Sequence, residues 1–514
     1  MSDTLQRYNA MDCIATWQLW QKFRVLLAEQ PAAAQTYAQT KAIASPSLYA
    51  MLHGTLVDPD AVEALRVKFV AEQKQLETNL DLITRSLRLG VINFASSHHV
   101  KWLIECLGGT LPRSRNWKTK SAQSVDRDAL EHVARTDVEI APIVNTILAW
   151  RDRAQMLSRL GPYLTDRDGR CRTMYKIVGT VSGRWSSGNH AWSDKRRKDT
   201  NGRPMTGGLN KQNVKRDEDE SVGHASIRSI FVADPGYKLG AIDLQRADNW
   251  GVALDVYATT GDRKYLDACG QGDLHSYVSR LIWPNADPKA FFYRQFNHRF
   301  MAKKLQHGGN YLGTARTIAI QMKIPTFRAQ DGLDKYFRRF PAIPKWHQFR
   351  ARELQTTGTL TNVFGRQRRF HGRLDESRTL RAAIGWIGQS TTAEVINRAL
   401  IRFWAVQLQM PDLGIQFLEQ IHDEILFQYP EHLEAEVIPL VNQVCLIPIP
   451  LRGETFSIPL ETKIGWNWAG VSASNPDGML EINPLTIHDP RTRTKTPKTN
   501  PNPSRMAKRL SSLY

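Results

Sequence analysis

The chain has 514 residues, enough for three or so domains with sizeable cores, and its 69 Lys and Arg against 50 Asp and Glu give a formal net charge of +19. That excess favours a polyanionic partner, because neutralising phosphates releases their counterions, and no apolar run approaches the roughly 18 to 20 residues that span a bilayer. The five cysteines (Cys13, Cys106, Cys171, Cys269, Cys445) include no Cys-x-x-Cys pair, which argues against a zinc site or a disulfide framework and fits a reducing cytosol, and no charged-then-apolar signal segment opens the chain.

In chain order, Tyr8 and Asp12 stand one helical turn apart in the first predicted helix. A short strand is expected before Asp58, and residues 59 to 89 carry Leu, Val, Glu, Lys and Gln at helical spacing, as does a stretch from about 127 to 160. Between them Arg113, Arg115, Trp117, Lys118 and Lys120 make a basic, aromatic tip that suits a nucleic-acid backbone or simply solvent. Residues 188 to 208 hold Lys195, Arg196, Arg197 and Lys198 among Gly, Asn, Asp and Pro, and are expected to form a mobile basic loop. The last forty residues carry six prolines, and seven Lys and Arg with no acid from Arg491 to Arg509; they are expected to be disordered.

Three runs carry the chemistry. Gly240-Ala241-Ile242-Asp243-Leu244 reads as a buried strand that delivers a carboxylate to its end. Gln420-Ile421-His422-Asp423-Glu424-Ile425-Leu426 reads as two strand segments meeting at an acidic turn. Two such carboxylates brought together repel unless a divalent cation sits between them, which is how a two-metal phosphoryl-transfer site is built. Between these runs, Arg299, Lys303 and His307 fall at i, i+4 and i+8 of a predicted helix, so two cations and a ring share one face. That order suits the phosphates and flat base of a nucleoside triphosphate.

Strand acid, cationic helix and acidic turn in this order make the chain resemble the family A, polymerase I-like, DNA polymerases. Asp243 to Asp248 fills the family's first palm motif; Arg299, Lys303, His307, Gly308 and Tyr311 fill its fingers motif, with Gly313 one place late; His422, Asp423 and Glu424 fill the third. Flanking matches are Thr180 to Ser187, Asn210-Lys211-Gln212-Asn213, Arg228 with Phe231, Asp273-Leu274-His275, Arg381 with Gln389, and Gly465-Trp466-Asn467-Trp468. The His-Gly-Gly-Asn-Tyr run resembles a bacteriophage-type branch. The resemblance spans roughly residues 45 to 470, and Tyr8 with Asp12 resembles the last motif of a 3′–5′ exonuclease whose earlier carboxylates have no room before residue 8.

The resemblance implies an α+β right-hand polymerase, with an antiparallel palm sheet, helical fingers and a helical thumb. Residues 1–42 would be an exonuclease remnant, 43–170 palm entry and thumb, 171–272 the first palm part with the 188–208 insertion, 273–385 fingers, 386–474 the second palm part, and 475–514 the tail. It implies a cytoplasmic DNA-directed DNA polymerase using two Mg²⁺ ions held by Asp243 and Asp423, with Glu424 supporting them. Arg299 and Lys303 would neutralise the triphosphate, Lys303 also protonating pyrophosphate, while His307, Tyr311 and Asp248 would complete the nucleotide site. Arg184, Gln212, Asn213, Arg381, Gln389 and His422 would contact DNA. Implied partners are primer-template DNA, dNTPs, and an exonuclease supplied as a separate chain or a processivity factor, with no membrane. The alternatives are a DNA-binding relic or one half of a split polymerase. Asp248 stands where the family has Glu, His307 where it has Phe or Tyr, and Phe300 where many members have a second Arg.

Overall fold

The computed structural model describes residues 3–112, 123–188, 208–214, 226–293, 296–322 and 324–485. The basic tip from Arg113 to Lys120, nearly all of the 188–208 insertion and the chain beyond residue 485 lie outside the described residues.

A five-stranded antiparallel sheet positions the site, in the spatial order Gln416–Ile421, Glu424–Pro430, Tyr237–Leu244, Leu460–Gly465, Leu480–Ile482. Tyr237–Leu244 is the middle strand, and its side chains alternate between two cores. Leu239 and Ala241 enter one, Ile242 and Leu244 the other. A strand covered on both faces has no solvent side, so it reads as an unbroken apolar run. Gly240 sits opposite Phe427, and a Cβ there would lie 2.3 Å from the Phe427 ring, so the ring packs only over a glycine.

A third core, around Leu80, Phe94, Val100, Leu103, Leu130, Val133 and Ile147, belongs to a helical arm built on Pro59–Ser86 and Ala141–Arg159. The first of these helices starts where the chain dictates: the Asp58 carboxylate accepts from the amides of Asp60 and Ala61, and Pro59 takes a position whose missing N–H has no helical partner to lose. The largest core is covered by helices from Ala247–Thr260 to Ser377–Gln409. Asp255 on the former helix pairs with Arg350 at 2.6 Å and accepts from Trp346 Nε1 at 2.6 Å, which fastens the helix Ala342–Thr357 to it through the protein interior.

Two expected boundaries move. The one between residues 385 and 386 falls inside a single continuous helix of 33 residues, Ser377–Gln409. The sheet also runs past residue 474: Leu480–Ile482 pairs with Thr462 to Ile464, and Asn475 exchanges side-chain hydrogen bonds with Asn467, so the start of the expected tail is ordered by the sheet edge. The helix Asp3–Ala28 leaves Tyr8, Met11, Trp17, Trp20 and Phe23 exposed among polar and charged neighbours. Among the described residues no helix is long and apolar enough to cross a membrane.

The crossing of Ala247–Thr260 over Ser377–Gln409 depends on bare backbone: a Cβ at Gly251 would meet the Gly388 carbonyl oxygen at 2.7 Å. Gly251→Val is expected to cost about 1 to 3 kcal/mol in denaturant unfolding. Gly385→Ala, where a Cβ would meet nothing within 4 Å, is expected to gain about 0.5 to 1 kcal/mol in the same assay.

Candidate active site

The strands Gln416–Ile421 and Glu424–Pro430 are joined by two residues, His422 and Asp423, with His422 at φ 60°. A positive φ at the first turn residue is the type II′ arrangement that glycine usually fills, so this non-glycine residue holds backbone strain at the turn. His422 Nε2 donates to the Gln212 carbonyl at 3.0 Å, which anchors that turn. The amide of Leu244 donates to the Asp423 carbonyl at 3.2 Å, so Asp423 lies beside the end of the middle strand, next to Asp243. In the sheet register Asp243 stands between Glu424 and Glu461, an acid on each neighbouring strand. Glu424 is buried and accepts from Trp468 Nε1 at 3.2 Å; Glu461 pairs with Lys463.

After Asp243 the chain turns at Arg246, which adopts a left-handed conformation (φ 53°) and caps the helix Ala247–Thr260. Its guanidinium donates to the carbonyls of Gln271 and Gly272, both at 2.8 Å. The next residue, Asp273, pairs with Arg299 at 2.8 Å. At its other end the helix His298–Asn310 leads into Tyr311, whose hydroxyl reaches the Asp248 carbonyl oxygen at 3.4 Å, while the Asp248 carboxylate pairs with Arg184 at 2.9 Å. The helix is thus tied at both ends to the turn that follows Asp243. Along it Arg299, Lys303 and His307 are exposed in one row, and His307 meets Tyr311 edge to face at 5.2 Å; Met301, Ala302, Leu305 and Gln306 are buried behind them. Gly308 and Gly309 are where they are for packing, since Cβ atoms there would strike Ile318 at 2.6 Å and Tyr336 at 2.9 Å.

Three titratable groups near this row are shifted by their surroundings. Burial, with Arg299 and Lys303 alongside, pushes the His275 imidazole down to about 4, so it is neutral near pH 7. Burial would raise the Asp273 carboxyl, but Arg299 and the Ser276 amide outweigh it and hold the group well below the usual carboxylate range. Burial pushes the Tyr311 phenol up, so it remains a hydrogen-bond donor.

The structure therefore brings together Asp243, Asp423, Glu424, Asp248, Arg184, Tyr311, His422 and Gln212, and lines up Arg299, Lys303 and His307 on one face. Arg381 and Gln389 are exposed eight residues apart on Ser377–Gln409, with Gly385 between them, and Asn213 is exposed beside Gln212. The side chain of Gln212 is turned inward: its amide donates to the carbonyl and the side-chain oxygen of Gln420, both at 3.1 Å, and its oxygen accepts from Ser187. Sequence reasoning missed the buried pair Lys211 and Glu419, the cap Arg246 and the row through Glu461. A clue to the first was present, because Glu419 is an acid inside an otherwise strand-like apolar run.

Among the described residues no three His, Cys, Asp or Glu side chains converge as a self-sufficient metal site. Two carboxylates with room for phosphate and water form the donor set that suits Mg²⁺, which keeps waters and shares substrate phosphates, so Asp243 and Asp423 fit that ion.

An antiparallel sheet presenting two adjacent acids, with a helical layer and a separately cored helical arm, is the α+β right-hand polymerase fold. The fold is similar to the solved POL domain of Pol1 from M. smegmatis, in complex with DNA primer-template and dNTP, with a TM-score of 0.63 at 22% identity over 81% of this chain and 67% of that one. Residues 59–470 match DNA polymerase family A, and the chain belongs to that family. It is 25% identical over 427 residues to the thermostable DNA polymerase I of Thermus filiformis, covering 80% of this chain and 45% of that protein. It is 26% identical over 480 residues to the DNA polymerase I of Chloroflexus aurantiacus, covering 90% and 46%. The chain spans about half the length of these relatives.

A pH dependence follows from His275. Its folded pKa lies below the unfolded value near 6.5, so the stability it contributes is fully present above that value and is lost as pH falls towards 4. Urea unfolding at pH 7.5 and pH 5 is expected to show His275→Gln removing part of the acid-side loss, on the order of 1 to 2 kcal/mol.

Proposed function

We propose that this chain is a template-directed DNA polymerase that adds deoxynucleotides to a primer 3′ end by two-metal nucleotidyl transfer, in replication of bacteriophage type. The observation that carries it is the placement of Asp243 and Asp423 on adjacent strand ends, with a cationic helix tied to the same turn at both of its ends. Mg²⁺ held by Asp243 and Asp423 would acidify the primer hydroxyl and screen the triphosphate. Arg299 and Lys303 bind the triphosphate as charge-assisted donors, and Lys303 is the proton source for the leaving pyrophosphate. His307 and Tyr311 flank the incoming base and sugar. Glu424, held by Trp468, stands opposite Asp243 in the sheet and supports the site from the neighbouring strand.

Duplex contact falls to Arg184, Asn213, His422, Arg381 and Gln389, whose positions suit minor-groove acceptors shared by all correct pairs. Gln212 supports His422 rather than touching DNA. Gly385, between Arg381 and Gln389, leaves the groove edge space to come close to the helix backbone.

Primer extension with Mg²⁺ tests the reading. Wild type is expected to extend with dNTPs, and Asp243→Ala to lose at least about 10³-fold in rate while still shifting primer-template on a gel. No extension by folded wild type would overturn it. With rNTPs, Asp248→Glu is expected to reduce ribonucleotide incorporation by roughly tenfold, because the longer carboxylate crowds the 2′-hydroxyl.

A further inference from the structure

Lys211 and Glu419 form an ion pair that no solvent reaches, 0% and 1% exposed. Every N–H of the ammonium is used: Lys211 Nζ donates to Thr55 Oγ1 at 3.0 Å, to the Cys171 carbonyl at 2.9 Å and to Glu419 Oε1. Glu419 accepts further from Thr55 Oγ1 at 2.8 Å and from the Tyr175 hydroxyl, and burial pushes that phenol up so that it keeps its proton. The pair draws together the strands Thr55–Val57, Arg170–Cys171, Met174–Lys176 and Gln416–Ile421. A satisfied buried pair of this kind contributes little net stability compared with well-packed apolar side chains, so stability does not account for it.

Its position does. Among the described residues Gln416–Ile421 is an edge strand, with no strand partner on its outer side, and it carries Asp423 just beyond its end. The ladder slips between Phe417 and Glu419, a bulge that leaves Leu418 out of register and bends the strand just ahead of the turn. The short turn Lys211–Asn213 takes the place of the missing strand: Lys211 grips Glu419 at the bulge, Gln212 Nε2 grips Gln420, and the Gln212 carbonyl receives His422. We propose that Lys211 and Glu419 are positioning residues that lock the bulged edge strand so that Asp423 stays beside Asp243, and so set the affinity of the site for divalent cations. The proposal rests on the polymerase reading for its role, but not for its measurement.

The experiment uses the full chain as wild type, Lys211→Met/Glu419→Leu and Tyr175→Phe. Mn²⁺ binding is followed by the electron paramagnetic resonance of the free ion, with dNTP and a dideoxy-terminated primer-template present, and the Mg²⁺ dependence of single-nucleotide incorporation is measured in parallel. The double variant is expected to melt at a lower temperature, because the Thr55 and Tyr175 hydroxyls lose their partners, but to keep its primer-template affinity, to bind Mn²⁺ about tenfold more weakly, and to need about tenfold more Mg²⁺ for half-maximal rate, with saturating Mg²⁺ restoring most of it. Tyr175→Phe, which removes one hydrogen bond and little volume, is expected to shift both readings in the same direction by about threefold, and it decides the matter if the double variant fails to fold. Mn²⁺ affinity and Mg²⁺ half-saturation within twofold of wild type in the folded variants would overturn the proposal. A wild type that binds Mn²⁺ but extends no primer would instead overturn the polymerase reading, and the Mn²⁺ comparison would still decide this one.

Discussion

The constraint behind this structure is like-charge repulsion. Two carboxylates about 5 Å apart repel by about 3 kcal/mol at an effective dielectric of roughly 20, and here Glu424 and Glu461 stand on either side of one of them in the sheet register. Acids do not gather this way unless the backbone compels them. The compulsion comes from a central strand that is bonded along both edges and buried on both faces, so Asp243 cannot retreat, and from a two-residue turn that leaves Asp423 no freedom to move along the chain. The buried polar groups around the turn, from Lys211 to Trp468, hold what the ladder alone would not.

The cationic helix answers that acidity without being packed rigidly against it. Its two ties to the turn after Asp243 differ in kind. The Tyr311 hydroxyl, on the Asp248 carbonyl, is mostly buried, whereas the Arg299 and Asp273 side chains are each nearly half exposed. An exposed ion pair contributes at most about 1 kcal/mol, so in the proposed reaction a triphosphate offering several charges would displace Asp273 from Arg299 at little cost. The helix is therefore held by a buried contact at one end and by an exposed ion pair at the other. The Arg246 cap links the exposed end back to the turn, since the loop it grips, Gln271 and Gly272, leads directly into Asp273.

Most of the site was legible because its chemistry leaves local marks. An apolar run ending in Asp243, an acid pair after His422 and a four-residue spacing of Arg299, Lys303 and His307 each need only a few neighbouring residues to be recognised. The strand order, the interior pairing of Lys211 with Glu419 and the inward turn of Gln212 join positions about two hundred residues apart, and no local pattern encodes such pairs. The boundary at residues 385 and 386 was illegible for another reason. Ser377–Gln409 serves the helical layer at one end and the sheet at the other, so its apolar pattern runs on without a break. The strand Leu480–Ile482 is only three residues long and lies just ahead of the proline- and cation-rich terminus, whose composition masked it.

The shortened acid at position 248 has a consequence that goes beyond its length. Its carboxylate is taken up by Arg184, and Tyr311 approaches the main-chain carbonyl of the same residue rather than its side chain. A longer side chain at that position would put its charge one methylene farther from the backbone, between Arg184 and the Tyr311 ring. In the proposed reaction, discrimination at the sugar would therefore rest on the fixed backbone of residue 248 and on the position of the Tyr311 ring. Both are set by the close crossing of Gly251 and Gly388: the first glycine lies on the helix that begins at Ala247, and the second would meet the Tyr311 hydroxyl at 2.8 Å if it carried a Cβ. In that reaction selectivity at this position would depend on how two helices pack as well as on the length of the acid that the family's pattern singles out.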